Sequence, residues 1–76
     1  MNDILAMLNE LRPEFDFEAS DNFIEDGFLD SFDVVALSDM FEKKYNIVID
    51  ALDILPENFA NIDAMINLIK NSGGAV

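Results

Sequence analysis

The residues best placed to do chemistry lie in Gly27-Phe28-Leu29-Asp30-Ser31-Phe32, where an Asp-Ser pair ends a glycine-containing loop and an amphipathic helical pattern begins at once. That order puts one hydroxyl at the mouth of a helix. The usual way to make such a hydroxyl a nucleophile is a neighbouring base held by a third group. The chain has no His, no Cys and four basic residues, so no obvious base exists and Ser31 reads as a group acted upon. For the same reason, together with a size that leaves little room for a deep pocket, the protein is not expected to be an enzyme.

Two readings of Ser31 follow from the residues alone. Small hydroxyl residues suit the first turn of any helix, and that accounts for a serine here without further function. Against this, Asp30 already fills the capping role, and the preceding loop would present the hydroxyl outward. A phosphodiester on Ser31 would lie at the positive end of the helix dipole, with Asp30 and Asp33 partly offsetting the attraction.

The elements that position Ser31 are legible in the spacing. Ile4, Leu5, Leu8 and Leu11 predict a first helix over 3–11, capped by Asn2 or Asp3 and discouraged from continuing by Pro13. Residues 13–30 hold no sustained period and read as a long loop tacked to the core by Phe15, Phe17, Phe23, Ile24, Phe28 and Leu29. Val34, Leu37, Phe41 and Tyr45 predict a second helix over 31–45, with Asp30 as cap, Asp33 as its partner in a capping-box-like start, and Lys43 and Lys44 suiting the dipole at its end. Asn46 closes it. Ile47-Val48-Ile49 is a β-like run too short to choose its own structure.

Pro56 suits the first turn of a short third helix near 55–60. A fourth opens at Asn61 or Asp63, turns Ile62, Met65, Ile66 and Ile69 inward, and stops at Ser72-Gly73-Gly74. The expected fold is all-α: a small four-helix bundle of three longer helices and a short third one. One domain fills residues 1–76, with an ordered core at about 3–71 and a flexible tail at 72–76.

Composition limits the partners. Sixteen acids against four bases give a formal charge of -12, and residues 13–42 hold ten acids and no Lys or Arg. Such a surface repels nucleic acid and anionic lipid and attracts basic protein patches. About half of the 76 residues are apolar, including seven Phe, so a folded core is expected rather than an acidic tail. Without cysteine there is no disulfide or thiolate metal site, and no long apolar run or leader pattern opens the chain, which points to a monomeric cytoplasmic protein with no membrane insertion.

Two other uses of the acidic region were weighed. In a twelve-residue calcium-loop register with Gly27 at the sixth place, Ile24 would stand at a ligand position and Asp33 where a bidentate Glu belongs, so no metal site is expected. On the second helix, Phe32, Val35 and Ala36 lie off the buried stripe beside Asp33, Asp39 and Glu42. Apolar groups ringed by acids suit docking, although scattered surface apolars are also ordinary.

With these residues in view, the chain resembles the acyl carrier and peptidyl carrier protein family over nearly its whole length. The likeness rests on Asp30-Ser31-Phe32-Asp33, the stripe Val34/Leu37/Phe41/Tyr45, Ile47-Val48-Ile49, and Pro56-Glu57-Asn58-Phe59 with Ile62-Asp63. The resemblance implies an acyl-carrier-like bundle in which Ser31 carries a covalent 4'-phosphopantetheine arm, attached from coenzyme A by a phosphopantetheinyl transferase. The arm's thiol would hold acyl or aminoacyl groups as thioesters. By the same resemblance Asp30 engages the transferase and its magnesium ion, and Phe32, Asp33, Val35, Ala36, Asp39 and Glu42 face partners: an acyl- or aminoacyl-activating ligase and downstream acyl-transferring enzymes.

Phe32 stands where fatty-acid carriers usually have Leu, Gly-x-x-Asp-Ser is one residue longer than their common spacing, and Lys43 follows Glu42 where they tend to continue with acids. These departures point away from a fatty-acid synthase carrier, and the Gly-x-x-Asp-Ser spacing with Pro56-Glu57-Asn58-Phe59 resembles free-standing carriers that work with an adenylating ligase, for aminoacyl, D-alanyl or specialised acyl groups. The alternative is an acidic helical interaction module with no prosthetic group.

Overall fold

The computed structural model describes residues 2–74, which hold three α-helices and no strand: α1 (Asn2–Leu11), α2 (Ser31–Tyr45) and α3 (Ile62–Asn71). Short 3-10 turns at Phe17–Ala19, Ala51–Asp53 and Pro56–Phe59 punctuate the connections. The segment expected as a short third helix is the last of these, with Pro56 at its first positions. Asp3 lies inside the first turn of α1 rather than capping it, and Met1 lies outside the described residues.

The helices meet largely through the expected stripes, with Leu5, Leu11, Ile62 and Ile66 half-buried at the edge and Leu68, which the spacing did not single out, buried instead. Ile4 and Leu8 of α1, Val34, Leu37 and Phe41 of α2, and Met65, Leu68 and Ile69 of α3 are buried in one cluster. Phe59 joins it from the Pro56–Phe59 turn, its ring parallel to that of Phe41 at 6.1 Å. Ser38, also buried on α2, turns its hydroxyl back onto the Val35 carbonyl at 2.7 Å, which meets its hydrogen-bonding need without a distant partner.

The long loop packs its aromatics together, and Phe17, Phe23 and Leu29 join the same buried cluster as the helices. Phe17 meets the rings of Phe15, Phe23 and Phe28 edge to face at 6.3, 5.0 and 5.6 Å, and Phe15 stacks on Phe28 at 4.5 Å. The Phe23 N–H donates to the Ala60 carbonyl at 2.7 Å, anchoring the loop just ahead of α3. Residues 22–26 coil into a single turn whose end is closed by bonds from the Gly27 N–H to the Ile24 carbonyl and from the Phe28 N–H to the Phe23 carbonyl. That closure needs a left-handed residue, which Gly27 supplies at φ 76°.

The same device ends two helices. Asn46 takes φ 55° after α2 while the Ile47 N–H bonds back to the Glu42 carbonyl, and Gly73 takes φ 95° after α3 while the Gly74 N–H bonds to the Ile69 carbonyl. The backbone is therefore tied down through Gly74, two residues beyond the expected start of the tail at 72. Residues 75 and 76 lie outside the described residues. Past Asn46 the run Ile47-Val48-Ile49 is extended, burying its two isoleucines and exposing Val48.

Candidate functional site

Ser31 is the first residue of α2 and is exposed. Its neighbours form the cap. The Asp33 N–H donates to Asp30 Oδ1 at 3.0 Å, and the Asp30 N–H donates back to Asp33 Oδ2 at 3.1 Å, a reciprocal capping box of the kind the sequence predicts. Since both bonds are made by the flanking aspartates, the cap leaves the Ser31 hydroxyl out of its hydrogen bonding.

A third residue completes the arrangement. Arg12, one place past the end of α1, donates from Nε to both oxygens of Asp33 at 3.2 and 3.1 Å, and its Nη2 lies 3.0 Å from Asp33 Oδ2. The guanidinium also reaches Asp30 at 3.8 Å and Glu14 at 3.7 Å. A fork against a carboxylate is the strong form of ion pair, and here one of its members is buried. The hydrogen bond from the Asp33 N–H is the main cause holding the Asp30 carboxyl below its ordinary pKa, with Arg12 and the Phe32 N–H adding to it. Asp33, by hydrogen bond and then by charge, pushes the Arg12 guanidinium higher still.

The residues expected to face partners divide in two. Phe32 and Val35 are exposed at 83% and 60%, Asp39 is exposed and pairs with Lys43 one turn on at 3.0 Å, and Ala36 is half-buried at the edge of this surface. Asp33 and Glu42 are engaged inside the molecule instead. Asp33 is only 5% exposed, its oxygens shared between the cap and Arg12. Glu42 Oε2 accepts from the Ile49 N–H at 2.9 Å, clasping the extended run to α2. Asp33 thus corrects the expectation that it faces partners: a carboxylate so enclosed has no side to offer them.

Sequence reasoning overlooked Arg12 and the exposed apolar trio Val48, Leu52 and Leu55. Arg12 had a signal, being the sole basic residue among the first 42. The trio had little, since residues 48–55 show no helical period. In the preceding loop, Asn22 Oδ1 accepts from the Ile24 and Glu25 N–H groups, and Asp26 accepts from the Ser20 hydroxyl.

Compared with known proteins, the chain matches no family model, no curated protein and no solved structure. Its function has to be argued from the site. No helix among the described residues is long and apolar enough to cross a membrane. A shallow cleft edged by Phe17, Phe23, Asn61 and Ile62 takes in none of the residues at the head of α2. What the site offers is an outward primary alcohol on a rigid mount, beside an apolar and acidic surface.

Proposed function

We propose that this chain is a carrier: Ser31 takes a 4'-phosphopantetheine arm from coenzyme A through a phosphopantetheinyl transferase, and the protein delivers acyl or aminoacyl groups to partner enzymes. The observation that carries this reading is the exposed Ser31 beside a cap that its two flanking aspartates close without it. In the attachment, the Ser31 oxygen bonds to the pantetheine phosphate as the pyrophosphate link of coenzyme A breaks, and the hydroxyl loses its proton. A four-helix carrier bundle would count the Pro56–Phe59 turn as its short third member.

The residues present fit such a group. The anion-attracting amides at the end of α2 are already engaged by the cap, in which Asp30 accepts from the Asp33 N–H at 3.0 Å. A phosphodiester on Ser31 would be turned away from those amides toward solvent, which suits a tether. When attached, the arm supplies a thiol, which the polypeptide lacks, to hold the cargo as a thioester. Phe32 and Val35 give a modest apolar contact, and Asp39 and the wider negative charge speed the approach of basic partners without prolonging their stay. The tether gives the cargo a high effective concentration wherever the carrier docks. Such a carrier would work in the cytoplasm.

Incubation with coenzyme A, magnesium and a broad-specificity transferase should add about 340 Da, the mass of the arm, to Ser31. Ser31→Ala should abolish the gain while keeping the helical spectrum. Failure of several transferases to modify the wild type would overturn the reading, and intact mass of protein from its native host would separate it from the bare interaction module.

A further inference from the structure

From the geometry around Arg12 we infer that this residue is a positioning residue for Ser31: it holds shut, from outside α2, the cap that fixes the direction of the serine. The inference rests on the carrier reading for its kinetic consequence and on the structure alone for the clasp.

Three links join the two residues. Arg12 is anchored to α1, since its N–H donates to the Leu8 carbonyl at 2.9 Å. Its guanidinium grips both oxygens of Asp33, a residue 21 places further along the chain. Asp33 Oδ2, held in that grip, is the atom that accepts from the Asp30 N–H. The orientation of the carboxylate therefore governs the half of the cap that the Asp30 N–H makes, that bond helps set the backbone at Asp30, and Ser31 is the next residue. Residues 13–30 form a packed loop rather than a continuous helix, and Arg12 adds a direct side-chain link across space from the end of α1 to the head of α2.

A lysine would keep a positive charge near Asp33 but could not reproduce the fork, because an ammonium is a point donor on a flexible stem. Arg12→Lys therefore separates orientation from charge, and Arg12→Gln removes both. Neither substitution alters Phe32, Val35 or Asp39, the surface on which partner affinity is expected to depend; both change the surroundings of Asp30, 3.8 Å from the guanidinium, and the twofold margin on KM allows for that.

The test follows conversion of wild type, Arg12→Lys and Arg12→Gln by one phosphopantetheinyl transferase over a range of carrier concentrations, with amide hydrogen exchange measured by NMR on the same proteins. A misaimed serine should lower kcat about tenfold while KM stays within about twofold, as misplacement of a reacting atom does. Exchange at the Asp30 and Asp33 amides should quicken about tenfold, as for loss of a cap, while the amides of Met65 and Ile69 in α3 keep their wild-type rates. Were Arg12 merely a stabilising residue, unfolded carrier would dilute the true substrate, raising apparent KM with kcat intact and quickening exchange throughout; that pattern overturns the inference. So do kcat and exchange rates within about twofold of wild type in both variants. If the wild type itself is not modified, the carrier reading fails, and the clasp stands or falls on exchange alone.

Discussion

Replacing Phe17 with alanine should bring this protein close to its unfolding threshold, although Phe17 belongs to a loop. Its ring is 2% exposed and meets three other phenylalanines edge to face, so truncation empties the centre of the loop's packed aromatics. Buried Phe→Ala substitutions cost about 3–5 kcal/mol, of which each aromatic pair accounts for about 0.5–1.5 kcal/mol beyond its area. At roughly 0.05–0.15 kcal/mol per residue, a chain of this length has about 4–11 kcal/mol of total stability. The variant thus loses between about a quarter and all of it. Phe15, half-buried and stacked on Phe28, should cost about half as much, since part of its ring already meets water. Phe17→Leu, which keeps most of the volume, should cost about 1.5 kcal/mol. Urea unfolding followed by far-ultraviolet circular dichroism measures all three on one scale, with the slope checked for constancy. A cost for Phe17→Ala below about 1 kcal/mol, or below that of Phe15→Ala, would refute the account of the loop as a packed element.

Two further substitutions probe the approach to Ser31. Gly27→Ala should cost about 1–2 kcal/mol through its left-handed backbone alone, because an added methyl meets no atom within 4 Å; Gly27→Asn should cost less, and equal costs in a thermal melt would contradict the assignment. Asp30→Ala should destabilise the protein at neutral pH, and the difference should fade in acid. Because the folded-state pKa of Asp30 lies below the ordinary aspartate value of 3.8, the stabilisation is present above that value and lost as pH falls through the lower one. Melts of both proteins across that range should converge, and a gap that persists at the acid end would count against the cap.

The three α-helices were legible because each carries a stripe at helical spacing and chemical signals at its ends. The bounds of α2 are plain in the sequence, where Asp30 and Asp33 stand three apart at one end and Asn46 at the other. The loop of 13–30 was legible as aromatic and anchored, but not in its pairings: which face of Phe17 meets Phe23 or Phe28 is decided by the closure at Gly27 and the bond to Ala60, neither of which has a periodic trace. The surface expected to face partners was half legible. Phe32 and Val35 lie off the buried stripe by arithmetic, and they are exposed. Asp33 and Glu42 look like surface acids in any helical projection, yet one turns inward because Arg12 arrives from α1 and the other because Ile49 offers an unpaired N–H. Both partners are brought there by tertiary contacts, which a helix-by-helix reading does not contain. The 3-10 turns at Phe17–Ala19 and Ala51–Asp53 were likewise hidden, as three residues are too few to show a period.

The end of α2 gives the chain a built-in optical gauge. Tyr45 is its one tyrosine, and there is no tryptophan to mask it. Its hydroxyl oxygen is enclosed and has no hydrogen-bond partner among the described residues, and burial, followed by the charge of Asp3, pushes its pKa above the usual 10.0. Phenolate absorbance should therefore rise later in alkali for folded protein than for protein in urea. The stabilisation that goes with the un-ionised phenol is intact below the ordinary phenol range and drains away as pH climbs through the raised value. A single chromophore on the last turn of α2 would thus report, without any label, how firmly the end of that helix is seated.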